Sequence, residues 1–186
     1  MTDVKRAVLA VADLMALAAR TAPKGKGVDT ILLRIVSGKE LQTLAARVDA
    51  IGREKNIGFF LRDAKNIAAS DACLLIGATG DKPAGVNCGA CGYPTCAELE
   101  SVYRERRRPP ASYAGPNCAV RMTDLGIAVG SAVKTAQIHN VDNRIMYSGG
   151  VTAVDMGLLG KECTVAYAIP LSATGKNIFF DRISGK

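Results

Sequence analysis

Apolar residues recur at intervals of three and four along the first twenty positions of the chain. The stripe consists of Val8, Val11, Ala12, Met15, Ala18 and Ala19. Because an α-helix completes a turn in about 3.6 residues, this spacing places all of these side chains on one face. The pattern predicts an amphipathic helix from Val4 to Arg20, which ends before Pro23.

The remaining chain alternates between apolar runs and helical periodicity. Runs rich in β-branched and apolar residues predict strands at Thr30–Ser37, Ala72–Ala78, Asn143–Tyr147 and Thr164–Leu171. Helical spacing predicts helices at Lys39–Ile51, Thr95–Glu105, Asp124–Ile138 and, after a break at Gly149–Gly150, a short one through Leu159. Ser37 is the expected cap of the second helix, and Thr123 or Asp124 that of the long one. The pattern predicts a helical turn over 63–70 and leaves 59–61 open.

The composition indicates the number of domains and the cellular compartment. The chain has 186 residues, 48% of them hydrophobic, which predicts one domain or one domain with an inserted module. No uninterrupted apolar run reaches transmembrane length, and Asp3 and Asp13 interrupt the apolar N-terminus, so no export signal is predicted. Six cysteines in such a chain predict a reducing cytoplasm and metal ligation, not disulfides.

The positive charge is spread over the chain, with one dense run. The net charge is +7, and the run is Arg104-Glu105-Arg106-Arg107-Arg108. Nucleic-acid binding is not expected, because the chain lacks a large basic face with interleaved aromatic residues. Two interpretations of the run remain open. It is either a solvated loop or a docking patch in which Arg104, Arg106, Arg107 and Arg108 attract an acidic redox partner.

The strongest chemical signal is a group of cysteines. Cys88, Cys91 and Cys96 follow the spacing Cys-x2-Cys-x4-Cys, and Cys118 comes after a further 21 residues. Soft sulfur ligands select iron–sulfur clusters, zinc or copper(I). Three local ligands with one remote ligand suit a four-cysteine iron–sulfur cluster, whereas zinc sites usually show two short pairs well apart. Zinc remains the alternative metal.

The other two cysteines are expected to be structural. Cys73 lies inside a predicted buried strand and Cys163 directly precedes another. A free cysteine often behaves as a small hydrophobic residue, so both are predicted to be core residues.

The cysteine motif resembles a known module. Residues Asn87 to Cys96 match the pattern Asn-Cys-Gly-x-Cys-Gly-x-x-x-Cys at every fixed position. The pattern is that of the four-iron, four-sulfur domain in the B subunit of Rnf-type electron-transport complexes and in the large subunit of corrinoid iron–sulfur proteins. The resemblance implies one [4Fe-4S] cluster with Cys118 as the fourth ligand.

The frame around the motif resembles the FMN-dependent nitroreductase family. Ala18–Pro23 is similar to the family's Ala-Ala-x-x-Ala-Pro, Lys39–Leu41 to the start of its next helix, and Asp124–Ala128 to the start of its long central helix. Residues 158–171 are similar to its last helix-to-strand passage. The resemblance implies an α+β fold with a nitroreductase-like sheet and flanking helices, formed by residues 1–80 and 119–186. It also implies that residues 81–118 are an inserted iron–sulfur module and, through the long helix, that the protein is a homodimer.

The frame departs from that family where the flavin would bind. The N-terminus has Lys5 and Arg6 without the serine-containing spacing of an FMN phosphate site, and the loop after Pro23 is Lys-Gly-Lys-Gly. Lys24 and Lys26 are the candidates for an FMN phosphate, although a solvated loop explains them equally well. Residues 170–176, Pro-Leu-Ser-Ala-Thr-Gly-Lys, resemble the C-terminal segment of a family described as containing a ferredoxin domain.

No hydrolytic or acid–base constellation is apparent. The single histidine, His139, ends the long helix and is interpreted as structural or dimer-facing. Three functional hypotheses follow: an iron–sulfur redox protein, a non-enzymatic binding module in which cluster or zinc only staples the loop, and a flavin-dependent oxidoreductase.

Overall fold

The computed structural model describes residues 3–104 and 112–180, within which the chain forms a sheet with helices on both faces. The helices are α1 (Val4–Thr21), α2 (Gly38–Glu54), α3 (Gly58–Ala68), α4 (Cys96–Arg104), α5 (Ala119–Ile138) and α6 (Tyr147–Asp155). The strands are β1 (Ile31–Ser37), β2 (Ala72–Ala78), β3 (Asp142–Asn143) and β4 (Val165–Ser172). A short 3-10 turn, Gly25–Gly27, lies between α1 and β1.

The sheet is antiparallel throughout, in the order β1-β2-β4-β3. In its register Ile31 lies opposite Ala78, and Ala72 lies opposite Leu171. Every residue of β2 is buried, because the strand is paired on both edges and covered on both faces. This confirms the buried strand that the apolar run predicts.

Successive residues of β2 point into two separate cores. Leu74 and Ile76 face the layer formed by α1 and α5, whereas Cys73 and Leu75 face the layer formed by α2, α3 and α6. The molecule is therefore a helix–sheet–helix sandwich, and the α+β fold with flanking helices is confirmed. No helix in the described part of the chain is both long and apolar enough to cross a membrane.

The predicted cap of α5 is wrong, whereas the predicted cap of α2 is right in position only. α5 begins at Ala119 with Cys118 as its cap, a turn before the predicted start. Asp124 lies inside the helix, where its carboxylate accepts a hydrogen bond from the Gly25 N–H at 2.7 Å. Ser37 occupies the cap position of α2, but its side chain makes no capping hydrogen bond.

The segment predicted as a strand over 143–147 is only partly strand, and its last residue already belongs to a helix. β3 contains only two residues, Met146 makes a single bridge to Ala168, and Tyr147 begins α6. The two glycines do not break this helix. Gly150 lies against the carbonyl of Ala166, where a Cβ would clash with the backbone, so this glycine lets α6 pack directly on β4.

Candidate metal centre

The first two cysteines, Cys88 and Cys91, lie on a loop with repeated left-handed backbone conformations that leads to Cys96 at the start of α4. The φ angles are +47° at Asn87, +70° at Gly89 and +89° at Gly92. The Gly92 N–H donates to the Gly89 carbonyl at 2.9 Å, which closes a tight turn between Cys88 and Cys91. Glycine is required here because L side chains rarely adopt these angles. The sequence therefore bends the backbone between its sulfur ligands.

Asn87 connects the start of this loop to α4. Its Oδ1 accepts a hydrogen bond from the Cys96 N–H at 2.8 Å. Thr95 and Glu98 complete the start of the helix, because the Thr95 hydroxyl accepts from the Glu98 N–H at 3.3 Å and donates to the Glu98 carboxylate at 3.0 Å. Cys96 is thus the first residue of a capped helix, where the dipole favours negative charge such as that of a thiolate.

Cys118 is fixed to the sheet. It is 4% exposed, and its N–H donates to the carbonyl of Gly80, two residues after β2, at 2.8 Å. It directly precedes α5, so a second helix N-terminus reaches the module. Ala84, Leu99 and Cys118 form a small buried cluster against which Cys91 packs. The remote fourth cysteine and one local cysteine therefore share a single apolar environment.

The four predicted ligands differ in exposure. Cys88 is exposed, Cys91 and Cys96 are half-buried, and Cys118 is buried. None of the six cysteines, each of which the structure describes, forms a disulfide. Across residues 3–104 and 112–180, no three cysteine, histidine or carboxylate side chains form a preformed metal-binding group. The four thiols fit a sulfur-ligated centre in identity and order, and their closure around it requires movement of the glycine-containing loop.

A buried ion pair beside Cys118 is the main feature that the sequence analysis missed. Arg121 and Asp124 are 3% exposed each, and the guanidinium lies 3.1 Å from the carboxylate. Arg121 also donates to the carbonyls of Gly25 (3.2 Å), Val28 (3.3 Å) and Lys82 (3.1 Å). The pair therefore ties the loop after α1, the start of the module and α5 together.

The candidate phosphate lysines have different surroundings. The Lys24 ammonium donates to three carbonyls at the end of α1, those of Ala19 (3.3 Å), Arg20 (2.5 Å) and Ala22 (2.8 Å), and its side chain is 5% exposed. It is engaged as a helix cap. Lys26 is exposed, with φ +58°, and its Nζ would lie 3.8 Å from a Cβ placed on Gly85. Of the two, Lys26 is the one available to an anion.

A tyrosine connects the C-terminal end of the module to the sheet. The Tyr113 hydroxyl donates to the Ala166 carbonyl of β4, and its ring packs edge-on against Tyr147 with centroids 5.2 Å apart. Burial raises the pKa of Tyr113, because the phenolate would lose its hydration. The module is therefore attached to the frame at Tyr113 as well as at Cys118.

The remaining sequence predictions have mixed outcomes. Cys73 and Cys163 are buried core residues, as expected. His139 is exposed and caps the C-terminal end of α5. In the arginine run, Arg106, Arg107 and Arg108 lie outside the described residues, as does the side chain of Arg104. The docking role of that run stays a prediction.

Comparison with sequence families supports the cluster. Residues 114–182 match a family described as "Uncharacterized protein containing a ferredoxin domain". Residues 84–103 match a motif described as "Putative Fe-S cluster", which includes Cys88, Cys91 and Cys96. Cys118 falls within the first match, so both matches together contain all four predicted ligands.

Solved structures with similar folds are flavoproteins and nitroreductases. A BluB-like flavoprotein from Clostridium difficile 630 has a TM-score of 0.54 at 14% identity, covering 100% of this chain and 86% of that one. An FMN-dependent nitroreductase from Clostridium difficile R20291 has 0.51 at 16%, covering 95% and 78%. Nitroreductase A from Vibrio parahaemolyticus has 0.53 at 9%, and this chain spans 60% of its length. At these identities the likeness shows the fold, which is nitroreductase-like.

A relative extends the sequence match to nearly the whole chain. A protein of Archaeoglobus fulgidus is 46% identical over 175 residues, which cover 93% of this chain and 90% of the relative. Together with the matched ferredoxin-domain and cluster segments, this similarity shows the family. The chain belongs to the family of proteins described as containing a ferredoxin domain, built on a nitroreductase-like fold.

Proposed function

We propose that this protein is an iron–sulfur redox protein that carries electrons through one [4Fe-4S] cluster held by Cys88, Cys91, Cys96 and Cys118. The observation that supports this most directly is the position of Cys118. Its N–H is bonded to Gly80, and it shares a small apolar cluster with Cys91 although 27 positions separate the two in the sequence. The match of residues 84–103 to an iron–sulfur motif supports the same ligand set.

The residues around the cysteines have identifiable tasks. A bound [4Fe-4S] cluster supplies reversible one-electron chemistry. Gly89 and Gly92 let the loop bend so that its sulfurs converge, and Asn87 keeps that loop at the start of α4. Leu99 and Ala84 exclude water from the side on which Cys118 lies. The N-termini of α4 and α5 stabilise the negative charge of the thiolates.

The experiment is purification without oxygen followed by metal and sulfide analysis. We expect about four irons and four sulfides per chain, absorption in the visible range, and a spin-resonance signal after one-electron reduction, which are the properties of this cluster type. Replacing any one of the four cysteines with alanine should lower the iron content and change the spectrum. A colourless protein that contains zinc and no iron would overturn the proposal.

Cys73 and Cys163 provide matched controls for these substitutions. Neither forms a disulfide, and both are buried in the frame core, Cys73 inside β2 and Cys163 at a cavity that Tyr103 and Ala114 also line. Cys73→Ala and Cys163→Ala variants should therefore keep the full iron content. Equal loss of iron in these controls would show that the cysteine substitutions act through folding and not through ligation.

A flavin is the second part of the proposal. The nitroreductase-like fold and the FMN named for one structural neighbour support a flavin-linked reductase in which FMN exchanges electron pairs. The loop of Lys24 and Lys26 is the candidate phosphate site, with Lys26 as the accessible cation. We expect FMN to bind at micromolar concentration and Lys26→Ala to weaken it. Absence of binding in both proteins would remove the flavin and leave the cluster assignment standing.

The alternative is a non-enzymatic binding module in which the cluster or a zinc ion has only a structural role and holds residues 87–118 together. A centre that cannot be reduced and reoxidised reversibly would favour it. In either case we predict that the protein is a homodimer and is located in the cytoplasm. We also predict that an acidic partner docks on Arg104, Arg106, Arg107 and Arg108. Neutralising those arginines and measuring partner binding at two salt concentrations tests the last.

A further inference from the structure

Two hydrogen bonds join the two ends of the cysteine module at its base. The Cys118 N–H donates to the Gly80 carbonyl at 2.8 Å, and the Arg121 Nε donates to the Lys82 carbonyl at 3.1 Å. Both donors belong to the start of α5, and both acceptors belong to the chain as it leaves β2. One bond fixes a point, whereas two bonds fix a direction, so the path of the chain toward Cys88 is defined at its origin.

The loop after α1 holds Arg121 in place. The Arg121 Nη1 donates to the carbonyls of Gly25 at 3.2 Å and of Val28 at 3.3 Å, and the Gly25 N–H donates to the Asp124 carboxylate at 2.7 Å. The guanidinium and the carboxylate lie 3.1 Å apart, and both residues are buried. The pair is therefore bonded to the backbone of two other segments and cannot move without breaking bonds to both of them.

Gly25 permits the close approach of this loop to α5. A Cβ at Gly25 would lie 2.5 Å from the Val120 Cγ1 and 3.6 Å from the Asp124 Oδ1. The three atoms nearest to that Cβ belong to Val120 and Asp124, and none of them belongs to a cysteine. A side chain at this position would therefore push the loop away from the buried pair without touching a thiol.

The base of the module is in place although the four thiols are not assembled. Cys88 is exposed, and no three cysteine, histidine or carboxylate side chains among the described residues form a metal-binding group. The loop that carries Cys88 and Cys91 must become ordered when the thiolates close around a metal. The entropic cost of that step is smaller when both ends of the segment are already fixed.

We propose that Arg121, Asp124 and Gly25 are positioning residues of the metal centre, which hold the two ends of the module so that its four thiolates can close on one metal. This inference rests on the ligand set of the proposed function. It extends the site to the loop after α1, which contributes no ligand and acts through the backbone at Lys82 and Cys118. Residues that support metal ligands change metal affinity by about 10–100-fold when they are replaced.

The test uses Co²⁺ as the probe, because a cobalt–thiolate bond absorbs light and its formation needs no cluster assembly. The metal-free full chain, with its thiols reduced, is titrated with Co²⁺ without oxygen. Arg121→Met/Asp124→Leu replaces the buried pair by apolar side chains, a change that proteins often tolerate in stability. We expect this variant to bind Co²⁺ about tenfold more weakly, because the bonds to Lys82 and Gly25 are lost.

Gly25→Ala tests the loop by itself, and we expect weaker Co²⁺ binding in this variant as well. Arg121→Lys should restore only part of the affinity, because an ammonium group cannot reach three carbonyls and a carboxylate at once. Gly130→Ala is the matched control. Gly130 lies on α5, and within the described residues nothing lies within 4 Å of a Cβ placed there, the backbone of its own helix aside. Its affinity should stay within twofold of wild type.

A loss of structure is separated from a loss of positioning by measuring the circular dichroism and the unfolding free energy of each metal-free variant first. If the double variant is unfolded, Gly25→Ala and Arg121→Lys decide. A folded variant of the pair or of Gly25 that binds Co²⁺ as tightly as wild type refutes the inference, as does an equal loss in Gly130→Ala.

Failure of this inference is distinct from failure of the proposed function. Wild-type protein that binds Co²⁺ without thiolate absorption refutes the ligand set, and the inference with it. Wild-type protein that binds Co²⁺ through thiolates but holds no reducible iron–sulfur cluster refutes the redox function alone, and the positioning residues then serve a structural metal.

Discussion

Gly80 is the residue at which the sheet meets the cysteine module. Its carbonyl accepts the Cys118 N–H, and a Cβ at this position would overlap the Asn117 Oδ1 and lie 2.8 Å from the Thr164 Oγ1. Gly80→Ala should therefore push Asn117 and Cys118 away from β2. We expect a loss of about 1–3 kcal/mol in unfolding free energy and a lower iron content per chain, measured by denaturant unfolding and iron analysis.

The control for this substitution is another glycine with free space around it. Gly126 lies on α5, and no described atom is within 4 Å of a Cβ placed there. Gly126→Ala should raise stability by up to about 1 kcal/mol, since alanine is the better helix former, and should leave iron content unchanged. Iron loss in both variants would contradict the steric explanation.

Because of Cys73, the unfolding free energy is expected to depend on pH in the alkaline range. Burial raises its pKa to about 12 from 9.0, because a thiolate inside the core has no water around it. Between these values the unfolded chain loses a proton that the folded chain keeps, so the unfolding free energy falls as pH rises, by up to about 1.4 kcal/mol per pH unit. Denaturant unfolding from pH 8 upward should show this slope, reduced in Cys73→Ala.

A second buried acid contributes to the same titration. The raised pKa of Tyr113 has the same sign, so its contribution to stability is also lost at alkaline pH. Tyr113→Phe should flatten the upper part of the curve and Cys73→Ala the lower part. A curve of identical shape in all three proteins would show that neither group is protected from water.

At the scale of elements, the start of α5 is where the loop after α1, the module and the frame meet. Removing one partner of the Arg121–Asp124 pair leaves a buried charge unpaired, which costs about 3–5 kcal/mol. Arg121→Met and Asp124→Leu should each be strongly destabilising, and the double variant less so than the sum of the two. Denaturant unfolding of the wild type, the two single variants and the double variant, without oxygen, forms a double-mutant cycle that measures the coupling free energy of the pair.

An exposed ion pair of similar spacing is the control for that cycle. Arg53 and Asp49 lie one turn apart on α2, at the surface, with 2.6 Å between guanidinium and carboxylate. Arg53→Met should leave the unfolding midpoint nearly unchanged, because solvent already screens the pair. Equal effects at both sites would mean that burial is not what gives the Arg121–Asp124 pair its strength.

Elements with an extended apolar pattern could be predicted from the sequence, whereas elements that depend on tertiary contacts could not. α1 and the strands β1 and β2 lie within one or two residues of their predicted bounds, because their apolar patterns extend over seven residues or more. α6 was misplaced because Gly149–Gly150 normally signals a break. Its helix exists because Gly150 packs against β4, and the sequence contains no local sign of that contact.

In the candidate site, too, residues with a local sequence pattern could be predicted and residues with distant contacts could not. The four cysteines could be proposed from spacing, and Gly89 and Gly92 from the need for a bend. Arg121 could not, because its partners at Gly25, Val28 and Lys82 are distant in the sequence and accept through their backbone carbonyls. Local patterns identify candidate ligands, whereas the residues that hold ligands in place depend on tertiary structure.

At the scale of the whole molecule, the helical layer of α1 and α5 retains exposed apolar residues. Leu14 and Leu17 on α1, and Ile127 and Ile138 on α5, are 40–65% exposed. We expect this layer to pair with a second copy, so that the protein sediments as a dimer and Ile127→Glu sediments as a monomer, since a charge at the contact must be desolvated.

The control for the dimer is an exposed apolar residue in the opposite layer. Phe59 on α3 is 43% exposed, and Phe59→Glu should leave the sedimentation coefficient unchanged. Wild-type protein that sediments as a monomer over the whole concentration range would contradict the prediction. Dissociation by Phe59→Glu in place of Ile127→Glu would assign the contact to the other face.

The hydrogen bond between Gly80 and Cys118 means that the chain leaves the sheet and returns to it at one point. Between its attachments to the frame at Lys82 and Tyr113, the length of this segment can change with little strain on the sheet, since doubling a flexible loop costs only about 0.6 kcal/mol. A lineage could thus gain, lose or exchange the redox centre without rebuilding the sandwich. The same property makes residues 81–117 a candidate for transplantation into another sheet with a gap of equal width.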